Sequence, residues 1–203
     1  MVDFGMDLSK AALVVVDVQK GIFALGRKLE PNTLDQVVAN VSKLVNKFRE
    51  AGLPVFLVRV TSVDGKDMLH PLADQQSQWR SGPRPADWAD FVDEIKPTER
   101  DIVITKRQWG AFYGTELDLQ LRRRKMETIV LCGVSTNIGV ETTARDAYQR
   151  GYNQVFAIDA MAANSKDEHD ATLKYIFPRI GLLRTTDIIL GALEGVRAKE
   201  ARY

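Results

Sequence analysis

The chain of 203 residues is long enough for one α/β domain with a sizeable core, although length alone leaves two small domains open. Its 28 lysines and arginines nearly balance 27 aspartates and glutamates, so no overall field favours nucleic acid or an anionic membrane. The single cysteine excludes an intrachain disulfide and fits a reducing compartment. Because neither a signal peptide nor a membrane-length apolar run is evident, we expect a cytoplasmic protein.

The first predicted strand covers residues 11–16, where AALVVV is apolar without interruption, as in a strand covered on both faces. Asp17 follows directly, and by itself an acid there could equally face solvent or cap a turn. A helix is predicted over 32–51 because apolar side chains recur at helical spacing, and Gly52 is expected to end it. A second strand follows over 55–59.

Residues 61–100 form the least regular part of the sequence. Prolines and two tryptophans, Trp79 and Trp88, lie among charged residues, which is typical of a long loop with short helical pieces. Loops of this length often act as lids or interaction surfaces, so the tryptophans could line a pocket or a subunit contact. Arg59 and Arg80 are candidates for binding a substrate carboxylate, although most arginines are simply solvated.

A third strand is predicted over 102–105, with Lys106 at its end. A lysine after a strand is ordinarily a surface charge. Thr115 is expected to cap a helix that runs to Arg124. The basic run 122–125 then suits the dipole at the end of that helix better than it suits a nucleic-acid site.

The next stretch predicts a strand, a tight turn and a helix. The strand covers 129–132, Gly133 is expected to break it, and Ser135 and Thr136 offer oxygens that can cap the helix start. Four later residues fall on one helical face: Val140, Ala144, Ala147 and Tyr148. Gly151 is expected to end the helix. Such a turn lies where α/β sheets bind ligands, although a plain packing unit remains the alternative, and no dinucleotide or P-loop fingerprint is present.

The remaining elements complete an alternation of strands and helices. A fifth strand is predicted over 154–158, a capped helix over 165–180, a short sixth strand over 182–185 and a last helix over 187–193. Six alternations predict a parallel sheet with right-handed crossovers. We therefore expect a single domain over 1–203, a three-layer α/β/α sandwich of Rossmann-like form.

The segment 133–147, GVSTNIGVETTARDA, resembles the signature of the isochorismatase-like hydrolase superfamily, which includes nicotinamidases, carbamoylsarcosine amidases and isochorismatases. Asp17 and Gln19 after the first strand, followed by the aromatic Phe23, match a second pattern of that superfamily. A third match is the loop of the superfamily's catalytic lysine, with matched positions Lys106, Phe112, Thr115 and Leu117. The resemblance implies the sheet order 3-2-1-4-5-6, a small-molecule substrate, no cofactor and a homo-oligomer, either dimer or tetramer.

The resemblance also implies roles for individual residues. In the amidases the position of Gly139 is a nucleophilic cysteine at a helix amino end, whereas isochorismatases commonly have glycine there. Asp17, Lys106 and Gly139 are therefore the implied catalytic positions. Val134-Ser135 is where a non-proline cis peptide often lies beside the oxyanion site. The implied substrate contacts are Gln19, Phe23, Trp109, Phe112, Val134, Ser135 and Asn137.

No metal site is predicted. Amidases of the superfamily that bind a metal carry an Asp-x-His pair and a further histidine beyond the second strand, and residues 59–62 offer neither. His70 and His169 are isolated in the sequence. Each is expected to be an ordinary surface or packing residue.

Three functions stay open at this stage. A protonated Asp17 could hydrolyse a vinyl ether of a small anionic metabolite, which requires burial to raise its pKa against the pull of Lys106. Ser135 or Thr136, activated by Lys106, could instead attack an amide or ester. The third possibility is a binding protein that has lost catalysis. Siderophore-type isochorismatases carry tyrosine and histidine at the positions of Ser135 and Asn137, so the resemblance does not fix the substrate.

Overall fold

The computed structural model describes residues 7–75, except 25 and 27, and residues 85–197. Its strands are β1 (Ala11–Val16), β2 (Val55–Val60), β3 (Ile102–Lys106), β4 (Thr128–Val134), β5 (Asn153–Ala162) and β6 (Leu182–Arg184). Its helices are α1 (Lys20–Phe23), α2 (Leu34–Glu50), α3 (Leu117–Arg123), α4 (Glu141–Gln149), α5 (Lys166–Tyr175), α6 (Phe177–Ile180) and α7 (Thr186–Ala192). All strand pairs are parallel, in the order β3-β2-β1-β4-β5-β6, which confirms the expected sheet.

Helices cover both faces of the sheet. Apolar side chains of α2 and α7 pack on one face, and those of α3, α4 and α6 pack on the other. The three-layer α/β/α architecture is therefore confirmed. None of the helices within 7–75 and 85–197 is both long enough and apolar enough to cross a membrane.

The centre of the sheet is β1, which pairs with β2 on one side and β4 on the other. All six of its residues are fully buried, which explains the unbroken apolar run. The neighbouring helix α2 begins two residues later than predicted because Thr33 and Gln36 form a capping box. Gly52 follows the helix in the left-handed conformation, as expected.

The prediction that Gly133 breaks the fourth strand is wrong. β4 continues through Gly133 to Val134, and Gly133 adopts a φ of +114°. A Cβ atom placed there would lie 2.0 Å from the carbonyl oxygen of Val16. The glycine therefore permits β1 and β4 to approach each other at their carboxyl ends, rather than ending the strand.

The turn after β4 also differs from the prediction. Residues Thr136–Val140 form a π-helical turn, hereafter the π-turn, and the α-helix begins only at Glu141. Ser135 precedes the turn, but its side chain makes no capping hydrogen bond. On α4, Ala144 and Ala147 face the core as predicted, whereas Tyr148 is 56% exposed. Gly151 follows the helix in the left-handed conformation, as expected.

Three further boundaries moved. β5 extends to Ala162, so Asp159 lies inside the strand, where its carboxylate accepts the N–H and O–H of Thr186. α5 ends at Tyr175 because Pro178 favours the start of a new helix, α6. The hydroxyl of Thr115 accepts the N–H of Leu117 at 3.2 Å, although Glu116 is the residue at the cap position.

A candidate active site at the carboxyl edge of the sheet

Asp17 is the residue at which the chain leaves β1. Its φ of +55° is unusual for a side-chain-bearing residue, and its N–H donates to the carbonyl of Val58 at 2.9 Å. The backbone thus turns while it stays attached to β2. Asp17 is only 5% exposed, so its carboxyl group lies in an environment from which water is largely removed.

Lys106, the last residue of β3, meets this carboxyl group. Its Nζ donates to Asp17 Oδ2 at 2.7 Å, to the carbonyl of Trp109 at 2.9 Å and to the carbonyl of Gln108 at 3.1 Å. An ammonium has three N–H donors, so the protein occupies all of them. Lys106 is 2% exposed and is held as a charged group that orients Asp17, without a spare donor for a ligand.

Two opposing effects act on the acidity of Asp17. Burial raises the pKa of the carboxyl group, and the ammonium of Lys106 opposes the shift without cancelling it. Oδ1 of the same carboxyl group is buried and has no hydrogen-bond partner among the described residues. The neutral acid is therefore the favoured form over a wider pH range than for an ordinary aspartate, and Oδ1 can carry its proton.

Gly139 lies directly against this pair. A Cβ atom built at position 139 would lie 3.2 Å from Asp17 Oδ2, 3.2 Å from Val16 Cγ1 and 3.5 Å from the carbonyl oxygen of Trp109. The three implied catalytic positions, which are far apart in the sequence, therefore meet at one edge of the sheet. The Val134-Ser135 peptide that leads into the π-turn is cis, at the place that the resemblance suggested.

The other possible nucleophiles are differently placed. Thr136 is fully buried, and its hydroxyl is 2.9 Å from Nδ1 of His169, itself 3% exposed. Cys132 is buried within β4, and burial raises the pKa of its thiol, so the reactive thiolate is disfavoured. Ser135 is half-buried and is not among the partners of the Lys106 ammonium.

Gln19 is placed for a structural role. Its amide is fully buried and bridges the end of β2 to a distant loop: Nε2 donates to the carbonyls of Val60 and Trp88, and Oε1 accepts the N–H of Val60. Both ends of the side chain are therefore engaged by the backbone. Gln19 fixes the segment that follows Asp17, and this accounts for its amide without a substrate.

The implied aromatic contacts divide between the core and the surface. Phe112 is 4% exposed and stacks on Tyr152 with 5.9 Å between ring centroids, so core packing accounts for its ring. Trp109 is 64% exposed, while its carbonyl is held by Lys106. Phe23 is half-buried against the core on the α2 side.

Val134 is 1% exposed, and Asn137 is half-buried. Oδ1 of Asn137 is buried and has no hydrogen-bond partner among the residues that the structure describes. Asn137 therefore retains an acceptor on the π-turn. Substrate contacts by these residues, and by Trp109, stay predictions.

Two segments of the irregular region flank the site. Asp67 accepts hydrogen bonds from Ser62 and from Arg107, the residue after Lys106, and these contacts help to lower the pKa of its carboxyl group to about 2. Trp88 is 7% exposed, so it is a packing residue rather than a surface one. The guanidinium of Arg59 donates to Thr105. Trp79 and Arg80 lie outside the described residues.

Within 7–75 and 85–197, no group of three or more histidine, cysteine or acidic side chains is arranged to hold a metal ion. His70 is exposed, and His169 packs beneath the π-turn. Burial lowers the pKa of His169, which favours its neutral form. No sequence pattern indicates two features of the site: the backbone carbonyls that accept from Lys106, and the hydroxyl of Thr143, which hydrogen-bonds to Gly139 and Ala111.

Comparison with known proteins identifies the chain as a hydrolase with an established fold family. The chain belongs to the isochorismatase family, since the isochorismatase domain model matches residues 11–188. An uncharacterized isochorismatase family protein of Bacillus subtilis (strain 168), YwoC, is 53% identical over 91% of this chain and 95% of its own length.

Solved structures agree with this assignment. An isochorismatase family protein from Burkholderia thailandensis has a TM-score of 0.85 and 40% identity, covering 92% of this chain and 96% of that one. N-carbamoylsarcosine amidase from Thermoplasma acidophilum has a TM-score of 0.69 and 28% identity, covering 87% of this chain and 96% of that one. One of these structural neighbours is thus an amidase, and the reaction of this chain must be argued from its own site.

Proposed function

We propose that this chain hydrolyses a vinyl ether of a small anionic metabolite by proton transfer from Asp17, without a covalent intermediate. One observation carries the proposal: Gly139 presents bare backbone against the buried carboxyl group, at the position where the resembled amidases carry their nucleophile. A glycine there leaves the acyl-enzyme route without an attacking atom. A substrate or a water molecule would then approach Asp17 on this side, where position 139 has no side chain.

The chemistry requires one acid and one water. The neutral Asp17 gives its proton to the terminal vinyl carbon, and the electron pair of the double bond forms the new C–H bond. The resulting oxocarbenium ion is captured by water, and the hemiketal then collapses to a ketone and an alcohol. The Asp17 carboxylate accepts a proton from the attacking water, which restores the acid.

Burial and charge support Asp17 in this role. Removal of water raises its pKa, and its Oδ1 has no partner among the described residues, so the acid proton is free for transfer. A carboxylate on the substrate would offset the pull of the Lys106 ammonium and favour the neutral acid further. This is the physical argument for an anionic substrate.

The alternative with Ser135 or Thr136 as nucleophile has less support. The ammonium of Lys106, the proposed activator, is directed to Asp17 and two carbonyls. Thr136 is completely buried against His169. The remaining alternative is a protein that binds the same kind of ligand without converting it, so only a measurement of turnover separates it from the first proposal.

The test is release of pyruvate from isochorismate and from chorismate, two enolpyruvyl ethers. We expect turnover of at least one by the wild type and at least a hundredfold lower kcat for Asp17→Asn. Asp101→Asn is the matched control, because it disrupts a different ion pair, in which Asp101 Oδ2 lies 2.6 Å from Arg49 Nη2. Asp101 immediately precedes β3, so it lies at the opposite end of that strand from Lys106. Undiminished turnover by Asp17→Asn would refute the proposal.

Labelled water separates this route from attack at the other carbon of the ether, the one that becomes the alcohol carbon. In H₂¹⁸O, capture at the vinyl carbon leaves the alcohol product unlabelled, since its oxygen comes from the ether. Label in the alcohol would show cleavage on the other side of the ether oxygen and would exclude the proposed mechanism. Recovery of a tightly bound but unchanged ligand would favour the binding protein.

We further propose that the protein is cytoplasmic and assembles as a homodimer or homotetramer, as the resemblance implies. Sedimentation velocity at micromolar concentration measures the assembly directly. A single species at the monomer mass, expected near 22.8 kDa, would contradict it.

A further inference from the structure

Thr143 occupies the first turn of α4 and is fully buried. Its hydroxyl donates to the carbonyl of Gly139 at 2.7 Å and accepts the N–H of Ala111 at 3.0 Å. The first bond is local to the helix, as is common for threonine. The second joins residues 32 positions apart in the sequence. One hydroxyl group therefore uses both its donor and an acceptor to connect two separate segments.

These two segments bracket the Asp17–Lys106 pair. One is the loop 107–111, whose carbonyls at Gln108 and Trp109 hold the ammonium of Lys106. The other is the π-turn, which lays Gly139 against Asp17. Their relative position sets how closely the carbonyl oxygen of Trp109 approaches position 139. A Cβ atom built at Gly139 would lie 3.5 Å from that oxygen.

A glycine lets the same loop lie close to α4. A Cβ at Gly110 would lie 3.0 Å from Asp146 Oδ2 and 3.1 Å from Thr142 Cγ2. The loop is thus pressed onto the helix at Gly110 and hydrogen-bonded to it at Ala111. Packing brings the surfaces together, and the hydroxyl of Thr143 fixes their register.

We propose that Thr143 is a positioning residue: it holds the lysine loop and the π-turn together so that Asp17 stays dry and oriented beside Lys106. Without the hydroxyl, the N–H of Ala111 and the carbonyl of Gly139 each lose a buried partner. The two segments then separate, water reaches the carboxyl group, and Lys106 loses the fixed carbonyls that orient it.

The residue type matches this role. A threonine supplies a donor, an acceptor and a branched side chain that fills a buried space beside the helix. Valine preserves the shape and removes both hydrogen bonds, whereas serine preserves both hydrogen bonds and removes one methyl group. The pair Thr143→Val and Thr143→Ser therefore separates hydrogen bonding from packing.

The activity test rests on the proposed function. With the enol ether that the wild type hydrolyses, we expect Thr143→Val to lower kcat by roughly tenfold to a hundredfold, with KM within threefold of wild type. Thr143→Ser should keep kcat within about threefold. Thr128→Val is the matched control, because Thr128 is also buried but begins β4, and it should leave kcat unchanged.

A second readout needs no substrate. The carboxyl ¹³C signals of labelled aspartates are titrated by NMR, with the Asp17 signal assigned by its loss in Asp17→Asn. Lys106 on β3 and Asp146 on α4 are further ionisable residues on the elements around the site, so the Asp146 carboxyl signal is followed in the same spectra. We expect the Asp17 titration to move to lower pH in Thr143→Val and to stay near the wild-type midpoint in Thr143→Ser.

The outcomes are separable. Wild-type kcat and an unmoved Asp17 titration in Thr143→Val would overturn the positioning role, as would a serine variant as impaired as the valine variant. If the wild type turns over no enol ether, the proposed function fails while the NMR titration still decides the role of Thr143. Should Thr143→Val not fold, Thr143→Ala removes the same two hydrogen bonds with a smaller side chain, and wild-type values for both readouts in that variant would refute the proposal.

Discussion

Position 139 is in direct contact with the carboxyl group of Asp17, since a Cβ atom placed at Gly139 would lie 3.2 Å from Oδ2. That distance is shorter than most contacts of real side chains, so even a small side chain requires its neighbours to shift by a few tenths of an ångström. Glycine at this position therefore leaves the Asp17 carboxyl group uncrowded and offers no side-chain nucleophile of its own. Substitutions at position 139 can separate the effect of crowding the Asp17 carboxyl group from the effect of adding a nucleophile.

The first prediction concerns Gly139→Cys. The added thiol would contact the buried carboxyl group and occupy the space proposed for substrate or water. We expect the rate of enol ether hydrolysis to fall at least tenfold. At a pH above the Asp17 pKa the ionised carboxylate can accept the thiol proton, so the thiol should become reactive toward iodoacetamide there. Initial rates and mass-spectrometric labelling measure the two effects.

Gly139→Ala is the control for this variant, since it introduces the same Cβ without sulfur. An equal loss of hydrolysis in both variants would show that lost space is the cause. New turnover of simple amides by Gly139→Cys alone would show that the rest of an amidase site is present. Unchanged enol ether hydrolysis in both variants would contradict the contact with Asp17 as the basis of the mechanism.

The second prediction concerns pH. Burial raises the pKa of Asp17 above its ordinary value of 3.8, so between that value and the folded-state pKa the folded chain holds a proton that the unfolded chain releases. The stability contributed by this proton is complete below pH 3.8 and is lost as the pH rises through the folded-state pKa. Because the proposed mechanism transfers this same proton to the substrate, the rate should also fall as the pH rises through the Asp17 pKa.

Two measurements check this sign. The pH profile of kcat/KM, which reports the free enzyme, should show a descending limb that coincides with the Asp17 carboxyl titration observed by ¹³C NMR. Chemical denaturation across the same range should show the wild type losing stability relative to Asp17→Asn as the pH rises. An Asp17 titration at or below 3.8 would contradict the argument from burial.

The strands were predictable because the hydrophobic pattern determines them, whereas their order in the sheet came from the resemblance. The sequence of β1 predicted its bounds correctly, since a central parallel strand has no exposed face and therefore no polar residue within it. Asp17 and Lys106 were found by resemblance to the family patterns. Asp17 comes directly after β1, and Lys106 is the last residue of β3. Their contact required the sheet order, which no local pattern contains.

The interactions that the sequence did not predict are those made by backbone atoms and by residues with two plausible roles. The carbonyls of Gln108 and Trp109 bind Lys106 regardless of their side chains, so no residue pattern indicates them. Gln19 matched a family pattern beside the catalytic acid, but its amide is used entirely by backbone groups. Phe112 matched another pattern, and its ring is buried in the core.

The third prediction follows from Gln19. Gln19→Leu preserves the size of the side chain but leaves the N–H of Val60 and two carbonyls without their buried partner. We expect the free energy of unfolding to fall by roughly 1–3 kcal/mol, since unsatisfied buried groups cost about that much. Urea denaturation measures the change, and Gln149→Leu on the exposed surface of α4 is the control. A loss no larger than that of Gln149→Leu would show that the bridge is dispensable.

The last prediction concerns two glycines, one near the carboxyl end of β4 and the other just after α4. Gly133 and Gly151 both have positive φ, +114° and +78°. A Cβ at Gly133 would lie 2.0 Å from the carbonyl oxygen of Val16, whereas no described atom lies within 4 Å of one at Gly151. The same substitution therefore meets backbone strain at both positions and a steric clash at only one.

Gly151→Ala should destabilise the protein by about 1–2 kcal/mol, the usual cost of a left-handed conformation for a residue with a Cβ. Gly133→Ala should cost more than about 4 kcal/mol, because β1 and β4 must separate beside Asp17. Thermal denaturation and the yield of folded protein measure both variants. Comparable losses would mean that backbone strain alone explains Gly133. A much larger loss for Gly133→Ala would show that the stability of the protein depends on the close approach of β1 and β4 beside Asp17.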